Sequence, residues 1–185
     1  MCYTYCRNIY AQLECLVLKY RNGQNAYIAS LIVALTLNGG SRDLLHSEKS
    51  REIIEKQVPI DKAIVERVKK ALARKGVVLE QSSEWDRHLI MTGREAITYS
   101  DGTIVMHNRV SASGFYEELI HYGQVRSGRA VYGDEENMLL MEIEAQKRLL
   151  AFRGAYKITP FEVEILTNNL NWYTIQLENL RKGGM

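Results

Sequence analysis

Side chains able to do chemistry concentrate in one stretch, Ser113-Gly-Phe-Tyr-Glu117-Glu118-Leu-Ile-His121-Tyr-Gly-Gln124. At 3.6 residues per turn, Glu117, His121 and Gln124 fall along one stripe of a helix, with Glu118 at its edge. Phe115, Tyr116, Leu119, Ile120 and Gly123 occupy the other side and make the expected core face. A carboxylate and an imidazole one turn apart, aimed away from the helix's own packing surface, are spaced to share a divalent cation. A second acidic element follows 21 residues after His121, where Glu142 and Glu144 stand among apolar residues. Those two are about 200° apart on a helix, so only one can face the site.

A Glu…His pair at this spacing also arises by chance on solvated surfaces. Three neighbours argue against that origin: the core face that makes the helix an interior element, the acidic helix that follows, and a β-hairpin immediately before. Ala96-Ile-Thr-Tyr-Ser and Thr103-Ile-Val-Met-His107 flank Asp101-Gly102, and an Asp-Gly pair between β-branched runs is a strong hairpin signal. The hairpin offers a cleft edge, and Asn108 to Ala112 then leads to Ser113, a suitable N-cap for the helix of the Glu117–His121 stripe.

Upstream, Asp61 can cap a helix in which Ile64, Val68 and Leu72 recur every four residues. Lys69, Lys70, Arg74 and Lys75 close it and Gly76 stops it. That basic cluster suits the helix dipole better than a phosphate or nucleic-acid patch. Gly76 to Glu80 reads as a short strand, while Gln81 to Gly93 fits either regular state. Downstream, Asp134 or Asn137 opens a helix through Leu150. Thr159-Pro160-Phe161-Glu162 is a capping box with proline at the first helical position. The last helix carries Val163, Leu166, Leu170, Tyr173 and Leu177 on one face. The order predicts an α+β fold, a mostly helical domain with a small antiparallel sheet or hairpin beside the helix of the acidic stripe.

The chain has 185 residues, enough for one core, which predicts a domain over 59–185 with an N-terminal helical appendage over 1–58. Within the appendage, residues 1–20 form an amphipathic pattern, and 26–37 are almost wholly apolar but too short to span a bilayer. A further helical reading covers 48–57. Cys2, Cys6 and Cys15 read as reduced thiols of a cytoplasmic protein, and no further ligand completes a metal site around Cys2 and Cys6. A formal net charge of +2 gives no nucleic-acid footprint.

Hairpin, Glu117-Glu118-x-x-His121 helix, then Glu142-x-Glu144-Ala145 is similar to the layout of zincin metallopeptidases with a distal Glu ligand. It particularly resembles the zincin-like domains of phage and mobile-element proteins and of bacterial polymorphic toxins. The resemblance covers about residues 76–180. It implies Glu118 as the catalytic general base, His121 as the second metal ligand, and Glu142 as the distal ligand, with Glu144 the runner-up. Glu117 stands where zincins carry the first His of H-E-x-x-H. His107 or His88 would be the spare nitrogen donors, though a strand residue such as His107 reads first as packing.

That exchange changes the electrostatics. Two His and one Glu around a dication leave +1, whereas Glu117, His121 and Glu142 leave a neutral centre. Its Lewis acidity is weaker, and the pKa of its water should lie above the roughly 7 of active zinc hydrolases. Oxygen donors also shift preference from Zn toward Mn or Fe. Three functions follow as expectations: a metal-dependent peptidase or toxin-related hydrolase acting on a peptide laid along the hairpin edge; a metallopeptidase-like fold without activity, serving as an interaction or structural module; and a small-molecule hydrolase.

Overall fold

The computed structural model describes residues 56–183, which belong to one compact unit, His46–Met185. The expectations for 1–20, 26–37, the three cysteines and most of 48–57 lie outside the described residues. The elements run α1 (Lys62–Ala73), β1 (Leu79–Glu80), α2 (Ser83–Thr92), β2 (Ala96–Thr98), β3 (Ile104–Met106), α3 (Ala112–Arg126), α4 (Glu135–Ala151) and α5 (Pro160–Gly183). The fold is α+β and mostly helical. Among the described residues, no helix is long and apolar enough to cross a membrane.

The hairpin forms as expected. Asp101 accepts a hydrogen bond from the Thr103 amide at 2.8 Å, Tyr99 donates to the Thr103 carbonyl, and β2 and β3 pair antiparallel with Ile97 opposite Val105. The sheet order β1-β3-β2 adds β1 parallel to β3, Leu79 opposite Ile104, so the sheet is mixed where the sequence led us to expect only antiparallel pairing. That pairing joins residues 25 apart in sequence through α2, which no local signal encodes. The ambiguous 81–93 segment resolves as α2, capped by the Ser82 hydroxyl and ended by Gly93 in the left-handed region.

Strand β3, Phe115 of α3 and Leu89 are fully buried. Burying Phe115 alone stabilises the fold by roughly 2–3 kcal/mol. Val65, Leu72 and Leu79 close this cluster against Ile104 and Met106. A second cluster joins Ile120 of α3 to Ala145 and Leu149 of α4 and Leu166 of α5. The hairpin lies against α3, where the Thr98 hydroxyl donates to the Glu118 carbonyl at 3.0 Å.

The N-cap of α3 is Ser111, not Ser113: its hydroxyl accepts from the Gly114 amide at 3.1 Å. Ser113 is drawn inside the helix because its amide and hydroxyl both donate to buried Glu162 of α5, at 2.9 and 3.0 Å. The second oxygen of Glu162 accepts from the Thr159 amide at 2.7 Å, and the Thr159 hydroxyl accepts from the Glu162 amide at 3.3 Å. The capping box therefore forms as its sequence dictates, and its carboxylate also serves the start of α3. Glu95 accepts from the Ser111 amide at 2.8 Å on the same turn, with Gly114 leaving room for it: a Cβ there would sit 3.2 Å from the Glu95 carboxylate.

A candidate metal centre between α3 and α4

Glu117 and His121, one turn apart on α3, meet Glu142 from α4. One donor atom from each lies within 4.8 Å of the other two, and His121 Nε2 is 3.5 Å from Glu142 Oε2. The stripe expected to face away from packing is instead partly enclosed. His121 and Gln124 are buried, while Gly123, assigned to the core face, is exposed. The polar stripe can be interior because α4 presents polar partners to it, and buried polar groups persist where they are paired.

His121 and Glu117 are each held by a buried glutamine. Gln124, fully buried, uses its amide nitrogen to donate to the Met141 carbonyl at 3.1 Å and to Glu144 at 3.2 Å. Its oxygen must then accept, and His121 Nδ1 lies 2.8 Å from it. The proton is thereby assigned to Nδ1, and Nε2 faces Glu142 with its lone pair available whenever the ring is neutral. Gln146, also fully buried, donates to Glu117 Oε1 at 2.5 Å, and its own oxygen has no hydrogen-bond partner among the described residues. Tyr173 of α5 stands within electrostatic reach of Glu142 and Glu117.

Charge crowding shows in the acidities. Burial, then the charge of Glu142, pushes the Glu117 carboxyl up to about 8, against the opposing pull of His121. Burial also raises Glu118, again opposed by His121. For His121, burial acts to lower the value, but the hydrogen bond to Glu142 and the three surrounding carboxylates outweigh it and push the imidazole up to about 10. Burial and then the Glu142 and Glu117 charges raise the Tyr173 phenol.

The sequence left two residues competing for the distal position. The structure brings Glu142 to the group, whereas Glu144 stays outside it, accepting from Gln124 at 3.2 Å and pairing with Arg129 at 2.8 Å. Glu118 stands beside the group within electrostatic reach of His121 and Glu142. His107 and His88 do not join it: His107 Nδ1 accepts from the Arg109 amide at 3.0 Å, and the His88 ring meets Trp85 edge-on at 5.7 Å. Gln146 and Tyr173 were missed. Gln146 sits four residues after Glu142, so it shares the Glu142 stripe, a signal the sequence did carry. Tyr173 was grouped with the apolar face of the last helix, and nothing local distinguished it.

The donor chemistry suits a small dication. Donors on a tetrahedral ion with bonds of about 2.0–2.1 Å lie ~3.3 Å apart, close to the 3.5 Å between His121 and Glu142, and a Glu117 oxygen lies within 4.8 Å of both. One nitrogen and two oxygens suit Zn, Mn or Fe, with a net charge of zero once both carboxylates are ionised. No family model, curated protein or solved structure matches this chain.

Proposed function

We propose that Glu117, His121 and Glu142 hold a divalent metal, and that the domain is a zincin-like hydrolase acting on a peptide. The observation that carries this reading is the convergence of those three donors from two helices within 4.8 Å. A bound dication at this point supplies Lewis acidity toward a carbonyl and toward water. The protein's own residues do the rest. Gln124 fixes the His121 tautomer, Gln146 orients Glu117, and Glu118, whose carboxyl is made a weaker acid than usual by burial, takes the proton of the attacking water and returns it to the leaving amine. The hairpin edge beside α3 offers the peptide a surface.

A second reading is favoured by a specific observation: the cluster is paired without any ion, through Gln146 to Glu117 and His121 to Glu142. On that reading the cluster is a polar joint between α3 and α4 in an interaction module. Metal analysis of the purified full chain separates the two. The hydrolase reading expects His121-dependent metal, lost in His121→Ala, and cleavage of a quenched fluorescent peptide library that disappears in Glu118→Gln while metal is retained. Metal without cleavage, or no His121-dependent metal at all, would favour the second reading.

A further inference from the structure

Around α3, roughly 100–160° from Glu117, the helix surface bearing Tyr116, Leu119 and Gly123 opens into a groove of about 380 Å³ between α3 and the end of α4. One wall is aromatic: Tyr116 and Tyr156 stack with ring centroids 4.0 Å apart and planes 15° apart, and Phe152 leans on Tyr156 at 5.9 Å. Arg129 and Arg148, both exposed, also line it, and Arg129 is already paired with Glu144 at 2.8 Å, which leaves Arg148 as the guanidinium facing the groove. Arg126, Arg153 and Lys157, near these residues in sequence, are also exposed.

Gly123 adds an independent observation. In a helix interior, glycine costs about 1 kcal/mol relative to alanine. At Gly114 the glycine has a reason inside the fold, since Glu95 fills the place of a side chain. At Gly123 a Cβ would meet nothing within 4 Å. The described fold gives no reason for a bare backbone at the centre of this groove, whereas a ligand lying against α3 would.

We propose that this groove binds a peptide segment of a partner protein in which carboxylate side chains flank an aliphatic or aromatic one. The apolar side chain lies over Gly123 against the tyrosine wall, and the carboxylates meet Arg148 and the exposed basic residues near it. Tyrosine and arginine are the residues that most often carry interface energy, and charge complementarity selects the partner. The chain's own first 45 residues are a poor occupant by the same criterion, because Arg7, Lys19, Arg21 and Arg42 outnumber Glu14 and Asp43.

The test uses the full chain and two fluorescein-labelled peptides that share a central Leu-Phe, one flanked by glutamates and one by lysines, read by anisotropy. The acidic peptide is expected to bind, more weakly as salt rises, and the basic one not. Arg148→Glu should weaken binding roughly tenfold. Gly123→Leu fills the groove with a better helix former, so it should abolish binding while the melting temperature stays the same or rises. Equal binding of both peptides, or binding unchanged by both substitutions, would overturn the proposal. So would a concentration-dependent dimer that Gly123→Leu dissolves, since the occupant would then be a second copy.

Discussion

Loading a metal at Glu117, His121 and Glu142 is expected to expel about two protons at pH 7. Glu117 at about 8 and His121 at about 10 are both protonated there, and each must lose its proton to become a ligand. At about 1.4 kcal/mol per pH unit, deprotonation at pH 7 costs about 1 kcal/mol for Glu117 and about 4 for His121. Apparent affinity at pH 7 should therefore be roughly 10⁴-fold below its plateau, rising about 100-fold per unit up to pH 8, about tenfold per unit to pH 10, and then levelling. Calorimetry in two buffers of different ionisation enthalpy counts the protons, and chelator competition from pH 6 to 9 gives the slope. The metal-free protein supplies a second readout. Both folded values lie above the ordinary 4.5 and 6.5, so the folded state holds these protons more tightly than the unfolded chain does. Their stabilisation is complete below the ordinary values and is lost as pH rises, to about 8 for Glu117 and about 10 for His121. Proton release near zero, or a metal-free thermal midpoint that climbs between pH 6 and 9, would refute the protonated cluster.

Two further substitutions probe the same site. Glu117→His gives the dication site one more positive charge and should tighten Zn binding, because Gln146 can turn its unpartnered oxygen toward the new ring N–H; weaker Zn binding in this variant, measured by titration, would mean that the carboxylate is the better ligand here. Gln124→Leu strips the acceptor from His121 Nδ1 and should lower metal affinity about 10–100-fold and stability by about 1–3 kcal/mol, with Gln124→Glu restoring the affinity. Equal affinities in Gln124→Leu and wild type would remove Gln124 from the site.

Where a feature depends on neighbours in sequence, the residues announced it. Asp101-Gly102 set the hairpin, Thr159 and Glu162 set the start of α5, and the i,i+4 spacing of Glu117 and His121 put both on one stripe. Features that depend on distant partners were not legible. Ser111 and Ser113 are equally good caps locally, and Glu162, 49 residues beyond Ser113, decides between them. The parallel pairing of β1, the enclosure of the polar stripe, and the roles of Gln146 and Tyr173 all arise from how α4 and α5 lie against α3. A one-helix pattern shows which side chains share a face, not what that face meets.

Glu162 ties the assembly of the centre to the order in which the chain is made. Its carboxylate completes the hydrogen bonding at the start of two helices, α3 and α5. Until α5 has emerged from the ribosome, the Ser113 amide of α3 lacks its partner, and Leu166 is not yet present to pack with Ile120, Ala145 and Leu149. A nascent or C-terminally truncated chain thus carries Glu117, His121 and Glu142 in its sequence without the helix that packs across α3 and α4. The centre is expected to mature only once the last helix has docked, and slowed hydrogen exchange at the Ser113 amide would report that moment.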